Sequence, residues 1–374
     1  MKRIFVYLFL IIGLLGCKHP DRPSDYIELN VDLNKTENEL HEVFDKIEVI
    51  TLETNDSSFF VYPYKIIENL NKFYIYDIHT QKVLMFADDG KYIRNIGNKG
   101  EGPGEYPLLS SISIDRKEET IQLLIPYGYY LDYTLDGQFQ NKSLLPQTKP
   151  NYQDILHIND KIVTWTIPLK NEDNCISIID QNTKEIVAEH GSGPSIIKTC
   201  SNKIYTYNDK AFYAQTLESN YVYELTEDSM ILTYGWNFGD DNIDMSKLDL
   251  SFDNENVGNE KKKLQKYIKT GIIPYWIVTQ EQNDKYYFAC LRYLYEKYDK
   301  CIFFHKENGN SFLFGSKNNS ISLYPYVFTD EYLICVLHHA DFDKWKPLLV
   351  ESECEKLKSI KEDDNPCLLK LYFK

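Results

Sequence analysis

The stretch from Tyr74 to Tyr106 sets the tightest limit on what this chain can fold into. Tyr74-Ile75-Tyr76-Asp77 and Val83-Leu84-Met85-Phe86 are short runs of aromatic and branched residues, the composition of strands. Asp88-Asp89-Gly90-Lys91 follows as a tight turn, because Asp-Gly tolerates the positive φ angles of a hairpin. Tyr92 to Gly97 reads as a third strand. Gly97, Gly100, Gly102 and Gly104, with Pro103, then force an irregular crossover. Strand, strand, Asp-Gly hairpin, strand and crossover make up most of one propeller blade.

A propeller requires the unit to recur, and it does. A polar turn followed by an aromatic or β-branched strand appears at Asn71, Arg116, Asn159, Asn283 and Asp330. The fourth turn has two candidates, Asn202-Lys203 or Asn208-Asp209-Lys210. The first three intervals are 45, 43 and, to Asn208, 49 residues. Asp89-Gly90 and Asp136-Gly137 keep the same beat, 47 residues apart. That is the length of a four-stranded blade. The interval from Asn208 to Asn283 is longer, and residues 240–270 read as a helical insertion, with Leu264, Tyr267 and Ile268 on one face of a helix over Lys261–Lys269. Six turns predict an all-β, six-bladed propeller of four-stranded antiparallel blades. Ile47 to Leu52 has no blade of its own, and Leu368 to Phe373 is the last strand. Pairing the two in one blade would close the ring and remove exposed edges.

Composition narrows the partners. The chain has 374 residues, 43% hydrophobic and 14% aromatic, with a formal charge of −15. So acidic a surface excludes a nucleic-acid backbone as partner and electrostatic adhesion to anionic lipid. A monomer is expected. Of the eight cysteines, none forms a Cys-x-x-Cys pair, and their spacing is not a disulfide framework. Cys290 and Cys301 flank a hairpin symmetrically and are candidate cross-strand neighbours, with a disulfide left open.

The N-terminus is a targeting segment. Lys2 and Arg3 precede an apolar run, Ile4 to Leu15, too short for an ordinary membrane span. Leu14-Leu15-Gly16-Cys17 resembles the lipobox of bacterial lipoproteins. The resemblance implies a signal peptide over 1–16 and a lipid on Cys17, giving a membrane anchor. Residues 17–43 are then a tether and lead-in, and 44–374 the propeller.

Phe86 to Tyr92, with Ile96 to Tyr106, resembles the six-bladed β-propeller lipoproteins of Bacteroidetes, which are related to NHL-repeat propellers. Asn365-Pro366-Cys367-Leu368-Leu369 is similar to that family's last strand. The resemblance implies a cell-envelope protein on the outer membrane, facing the periplasm or the surface. It carries no catalytic residues over.

Candidate sites are few. Gly97, Gly100, Gly102 and Gly104, with Glu105, form a loop whose N–H groups could cradle an anion, or which simply connects two blades. Asp240 to Asp244 resembles half a calcium loop but lacks its glycine and late glutamate. His338 and His339 would point to opposite faces of a strand, unsuited to one metal. The four Trp read mainly as core. No catalytic, metal or cofactor site is expected. The sequence therefore supports a non-catalytic binding or scaffold propeller for a peptide, glycan or protein. Two alternatives stand beside it: a lyase or hydrolase with a metal at the central channel, or an accessory subunit of an outer-membrane uptake or secretion complex.

Overall fold

Six small antiparallel sheets, one per blade, account for nearly every strand in the computed structural model. Residues 26–149, 151–167, 173–192, 204–214, 220–244, 247–249, 257–317, 321 and 323–374 are described. The predicted signal peptide and Cys17 lie outside them. Blade 1 comprises Pro63–Asn69, Lys72–Asp77, Lys82–Ala87 and Tyr92–Asn95. Blade 2 comprises Ser111–Asp115, Thr120–Ile125, Tyr129–Thr134 and Phe139–Leu144. Blade 3 comprises Tyr152–Ile158, Lys161–Thr166, Asn174–Asp180 and Ile186–Ser192. Blade 4 comprises Ile204–Tyr207, Lys210–Ala214, Tyr221–Leu225 and Met230–Asn237. Blade 5 comprises Tyr275–Gln282, Tyr286–Tyr293, Tyr298–His305 and Ser311–Phe314.

Blade 6 is assembled from both ends of the chain. Val327–Phe328, Tyr332–Leu337 and Cys367–Phe373 take Phe44–Ile50 as their outer strand. Val49 sits opposite Leu369 and Ile50 opposite Leu368, the closure the sequence predicts. Phe44 stacks on Phe373 at 5.3 Å and meets Phe303 of blade 5 edge-on at 5.5 Å. Gly90, at φ +85°, packs against the Thr51 carbonyl, so a side chain there would collide with the closing segment.

The recurring polar turns have a backbone reason. Leu70 and Asn71 both have positive φ, as do Asn208 and Asp209. Two left-handed residues joining adjacent strands make the hairpin turn whose twist matches its strands, and Asn and Asp tolerate that region best. The fourth turn is therefore Asn208-Asp209-Lys210.

The residues assigned to a lead-in behave differently. Ile27–Asn30 pairs in parallel with Met230–Asn237, adding a fifth strand to blade 4. The chain then crosses the outside of blade 5, where the Asn38 N–H donates to Leu313 O and the Leu313 N–H to Asn38 Oδ1. Residues 26–43 thus form a belt over two sheet edges, which would otherwise expose unpaired backbone. Its sequence shows little alternation, because the belt borrows its order from the edges it covers.

Strand alternation sorts the connections between two ends. Turns between first and second, and third and fourth, strands emerge at one end of the propeller. Links between second and third strands, and between blades, emerge at the other. The insertion after blade 4 belongs to the second group. Its helix, Val257–Lys269, is longer than expected, and Leu264, Tyr267 and Ile268 pack with Ile243, Leu248 and Trp276 around Ile273. A second insertion at that end carries no periodic signal in the sequence. Between Leu337 and Cys367 lie the helices Phe342–Trp345 and Glu351–Leu357. Phe342, Trp345, Leu349 and Leu357 enter the core of blades 5 and 6. Glu353 accepts the Val49 N–H at 2.6 Å and Lys356 donates to Val49 O at 2.9 Å, sealing the closing strand's free edge.

Candidate functional site

The first strands of all six blades surround a central cavity of about 1010 Å³ that opens among the polar turns. The turns that mark the repeat in sequence therefore share one rim. Polar contacts tie this rim from blade to blade. Lys72 pairs with Asp136 at 2.7 Å, Lys117 with Asp160 at 2.6 Å and Lys161 with Glu227 at 3.0 Å. The Tyr207 hydroxyl donates to Asp284 at 2.9 Å, the Asp284 N–H donates to Asp330 at 2.7 Å, and Lys370 pairs with Glu68 at 2.9 Å.

Most charges on the wall are compensated within the protein. Lys65 contacts Asp154 at 2.8 Å, and the Ser111 hydroxyl donates to the same carboxylate at 2.6 Å, joining blades 1, 2 and 3. Asp115 lies 3.3 Å from His157, accepts Gln181 at 2.6 Å and takes the N–H groups of Lys117 and Glu118. Burial alone would raise its pKa, but His157 and these donors hold it down at about 2. Lys306 is held 4.3 Å from the Tyr207 ring centroid and 4.6 Å from that of Tyr287, and donates to Gln282 at 3.0 Å. Burial lowers its pKa to about 8 against the opposing pull of Asp284 and Asp330.

Glu281 is the exception on this wall. Its nearest hydrogen-bond donor is the Thr279 hydroxyl at 3.4 Å, and among the described residues no cation pairs with it. Burial raises its carboxyl to about 8. The run Gln280-Glu281-Gln282-Asn283-Asp284, polar at the end of an otherwise apolar strand, is the sequence signal that could have singled it out.

The glycine loop lies elsewhere, at the opposite end between blades 1 and 2. Gly102 donates its N–H to Glu105 Oε2 at 2.8 Å, and Gly100 donates to Tyr106 O at 2.9 Å. Gly104, at φ +74°, sits against Phe139, and its carbonyl accepts the Tyr133 hydroxyl; Gly97, at φ +63°, also packs on Tyr133. The N–H groups of Gly100 and Gly102 that an anion would need are thus already taken within the loop. Trp165, Trp236 and Trp345 are buried and His339 packs on Phe342. Cys290 and Cys301 stand directly opposite in register, as free thiols with their sulfurs 3.4 Å apart. Among the described residues no three His, Cys, Asp or Glu side chains form a group able to hold a metal.

No curated protein matches this chain. Among solved structures, BF0058 of Bacteroides fragilis NCTC 9343, described as exported, superposes with a TM-score of 0.74 at 20% identity, over 93% of this chain and 99% of that one. At that identity the likeness shows the fold. U3-55K gives 0.47 at 10% identity, covering 87% and 98% of the two chains, and carries no argument. A family model matches residues 26–372, which span the belt and all six blades. This chain therefore belongs to the family described as a domain of unknown function, DUF4934.

Proposed function

We propose that this chain is an exported cell-envelope propeller, lipid-anchored through Cys17, that binds a peptide, glycan or protein segment without transforming it. The observation that carries the reading is the cavity of about 1010 Å³, walled by all six blades and rimmed by polar turns. Cavities of this size with a few placed polar groups are the usual form of ligand sites. The exported description of BF0058 and the lipobox-like Leu14 to Cys17 support the address, as does the likeness to NHL-related lipoproteins. Eight residues separate Cys17 from Tyr26, where the belt begins, so an anchored propeller would stand within roughly 30 Å of the bilayer at full extension.

Two variants test this. Thr206 lines the cavity and is exposed, so Thr206→Trp plugs the channel with little effect on the core. Calorimetric screening of peptide and glycan sets should find ligands for the parent that Thr206→Trp no longer binds. Equal binding by both would move the site away from the channel. Cys17→Ser should leave the membrane fraction, and unchanged fractionation would remove the anchor.

A further inference from the structure

Glu281 lies on the innermost strand of blade 5, and its register partner is Phe288. Cross-strand partners share a face, so both look toward blade 6. There the Phe288 ring packs 5.4 Å from Phe328, and Phe328 and Tyr326 line the same cavity as Glu281. Over the whole lining, six carboxylates face three Lys or Arg side chains. Asp115, Asp160 and Glu68 each have a basic partner, while Glu281 has none among the described residues. A partly buried carboxyl without an ionic partner is costly unless something else completes it.

We propose that Glu281 is the anchor for a primary ammonium group entering the channel from the polar rim, so that the ligand is an aliphatic amine or a lysine side chain. This rests on the reading of the channel as the binding site. An ammonium brings three donors and a full charge to a carboxylate that, among the described residues, has only the long Thr279 contact and no ionic partner, and the aromatic rings beside it favour an organic cation. A bare divalent ion would need several more oxygen ligands than this wall supplies.

Binding requires the ionised form of Glu281. Its carboxyl is protonated at neutral pH when free, so occupation at pH 7 releases a proton. Tyr234 and Tyr205 approach from blade 4 and Tyr326 from blade 6, and burial keeps all three phenols protonated far above neutral pH. Lys306, on the other face of the strand, also titrates near 8, and the variant below separates it from Glu281.

The test is titration calorimetry of the full chain in detergent with butylamine, spermidine and a lysine-containing tripeptide, with butanol as the uncharged control. The amines should bind and butanol should not. Glu281→Gln keeps the shape, cannot ionise, and should weaken amine binding at least tenfold. Repeating the parent titration in two buffers of different ionisation heat should reveal proton release, absent in Glu281→Gln. Preference for the tripeptide over butylamine and spermidine identifies a lysine side chain as the source, and the reverse a free amine. Equal amine affinity in a Glu281→Gln protein with parental melting overturns the proposal. Capture of a glycan or uncharged peptide, blocked by Thr206→Trp, with no amine bound would overturn the ammonium assignment and leave the channel site standing. Amine binding that survives Thr206→Trp would overturn both.

Discussion

Replacing Asn365 by alanine should cost this protein more than any surface substitution, because one buried amide holds the two ends of the chain together. Asn365 is 1% exposed. Its Oδ1 accepts the Phe60 N–H at 3.1 Å, and its Nδ2 donates to Glu53 O at 2.9 Å and Ser58 O at 3.0 Å. The amide orientation follows from its partners, a donor on one side and two carbonyls on the other. Alanine strips the Phe60 N–H and the Ser58 carbonyl of their partner and leaves the Glu53 carbonyl with the Ser58 hydroxyl alone, at 2.8 Å. Each of the two orphaned groups costs on the order of 1 kcal/mol or more, giving about 2–3 kcal/mol in all. With an unfolding entropy of about 2.1 cal/mol/K per residue over 374 residues, the melting temperature should fall by about 3–4 °C. Urea unfolding and calorimetry measure both numbers. Asn365→Asp sharpens the test: it keeps the acceptor for Phe60 but sets a carboxylate against two carbonyls, so it should be at least as damaging as alanine. A loss below about 1 kcal/mol in Asn365→Ala, or a benign Asn365→Asp, would refute the clasp.

Two more outcomes follow from the channel wall and the core. The Asp115 carboxyl is depressed from 3.8 to about 2, so its stabilising contribution is complete above pH 4 and is lost as pH falls through 2; with solvent screening in the channel it amounts to about 1 kcal/mol, and the stability gap between parent and Asp115→Asn should close over that window in acid melts, a constant gap contradicting the assignment. Cys290 and Cys301, 3.4 Å apart and fully buried, should become joined when the chain is refolded with an added disulfide oxidant, visible as a two-hydrogen mass loss and a linked peptide pair; quantitative alkylation of both thiols after such refolding would show that the strands cannot draw the sulfurs to bonding distance.

Much of the architecture was legible because a blade is a local object. The Tyr74 to Tyr106 stretch carried its strands and its Asp-Gly hairpin in neighbouring residues, and Asn71 and Asn208 marked turns because left-handed backbone favours Asn. Repetition of that local code at a blade's spacing counted the blades. Closure was also readable, since a final apolar strand and an unassigned early one each need a partner. The belt was not legible. Ile27–Asn30 and Asn38 are ordered by the edges of blades 4 and 5, and those edges lie about 200 to 275 residues away in the chain. The second insertion, after Leu337, was hidden because its apolar residues fill a core that exists only once blades 5 and 6 meet.

The candidate site divides along the same line. Glycines with positive φ advertise themselves, so the sequence drew attention to Gly97, Gly100, Gly102 and Gly104, where the fold turned out to spend the N–H of Gly102 on Glu105 and that of Gly100 on Tyr106. Beyond the polar run Gln280 to Asp284, nothing local distinguishes Glu281 from Glu68 or Asp115. What separates them is that Lys370 and His157 arrive from other parts of the ring to face two of these acids, and among the described residues no basic side chain arrives to face the third. By itself the sequence determined the strand periods, the turn chemistry and the number of blades, because those depend on a residue and its near neighbours. Only the tertiary structure decided which charges share the channel and which stay uncompensated, because electrostatic pairing depends on distances that the chain sets by closing its ring.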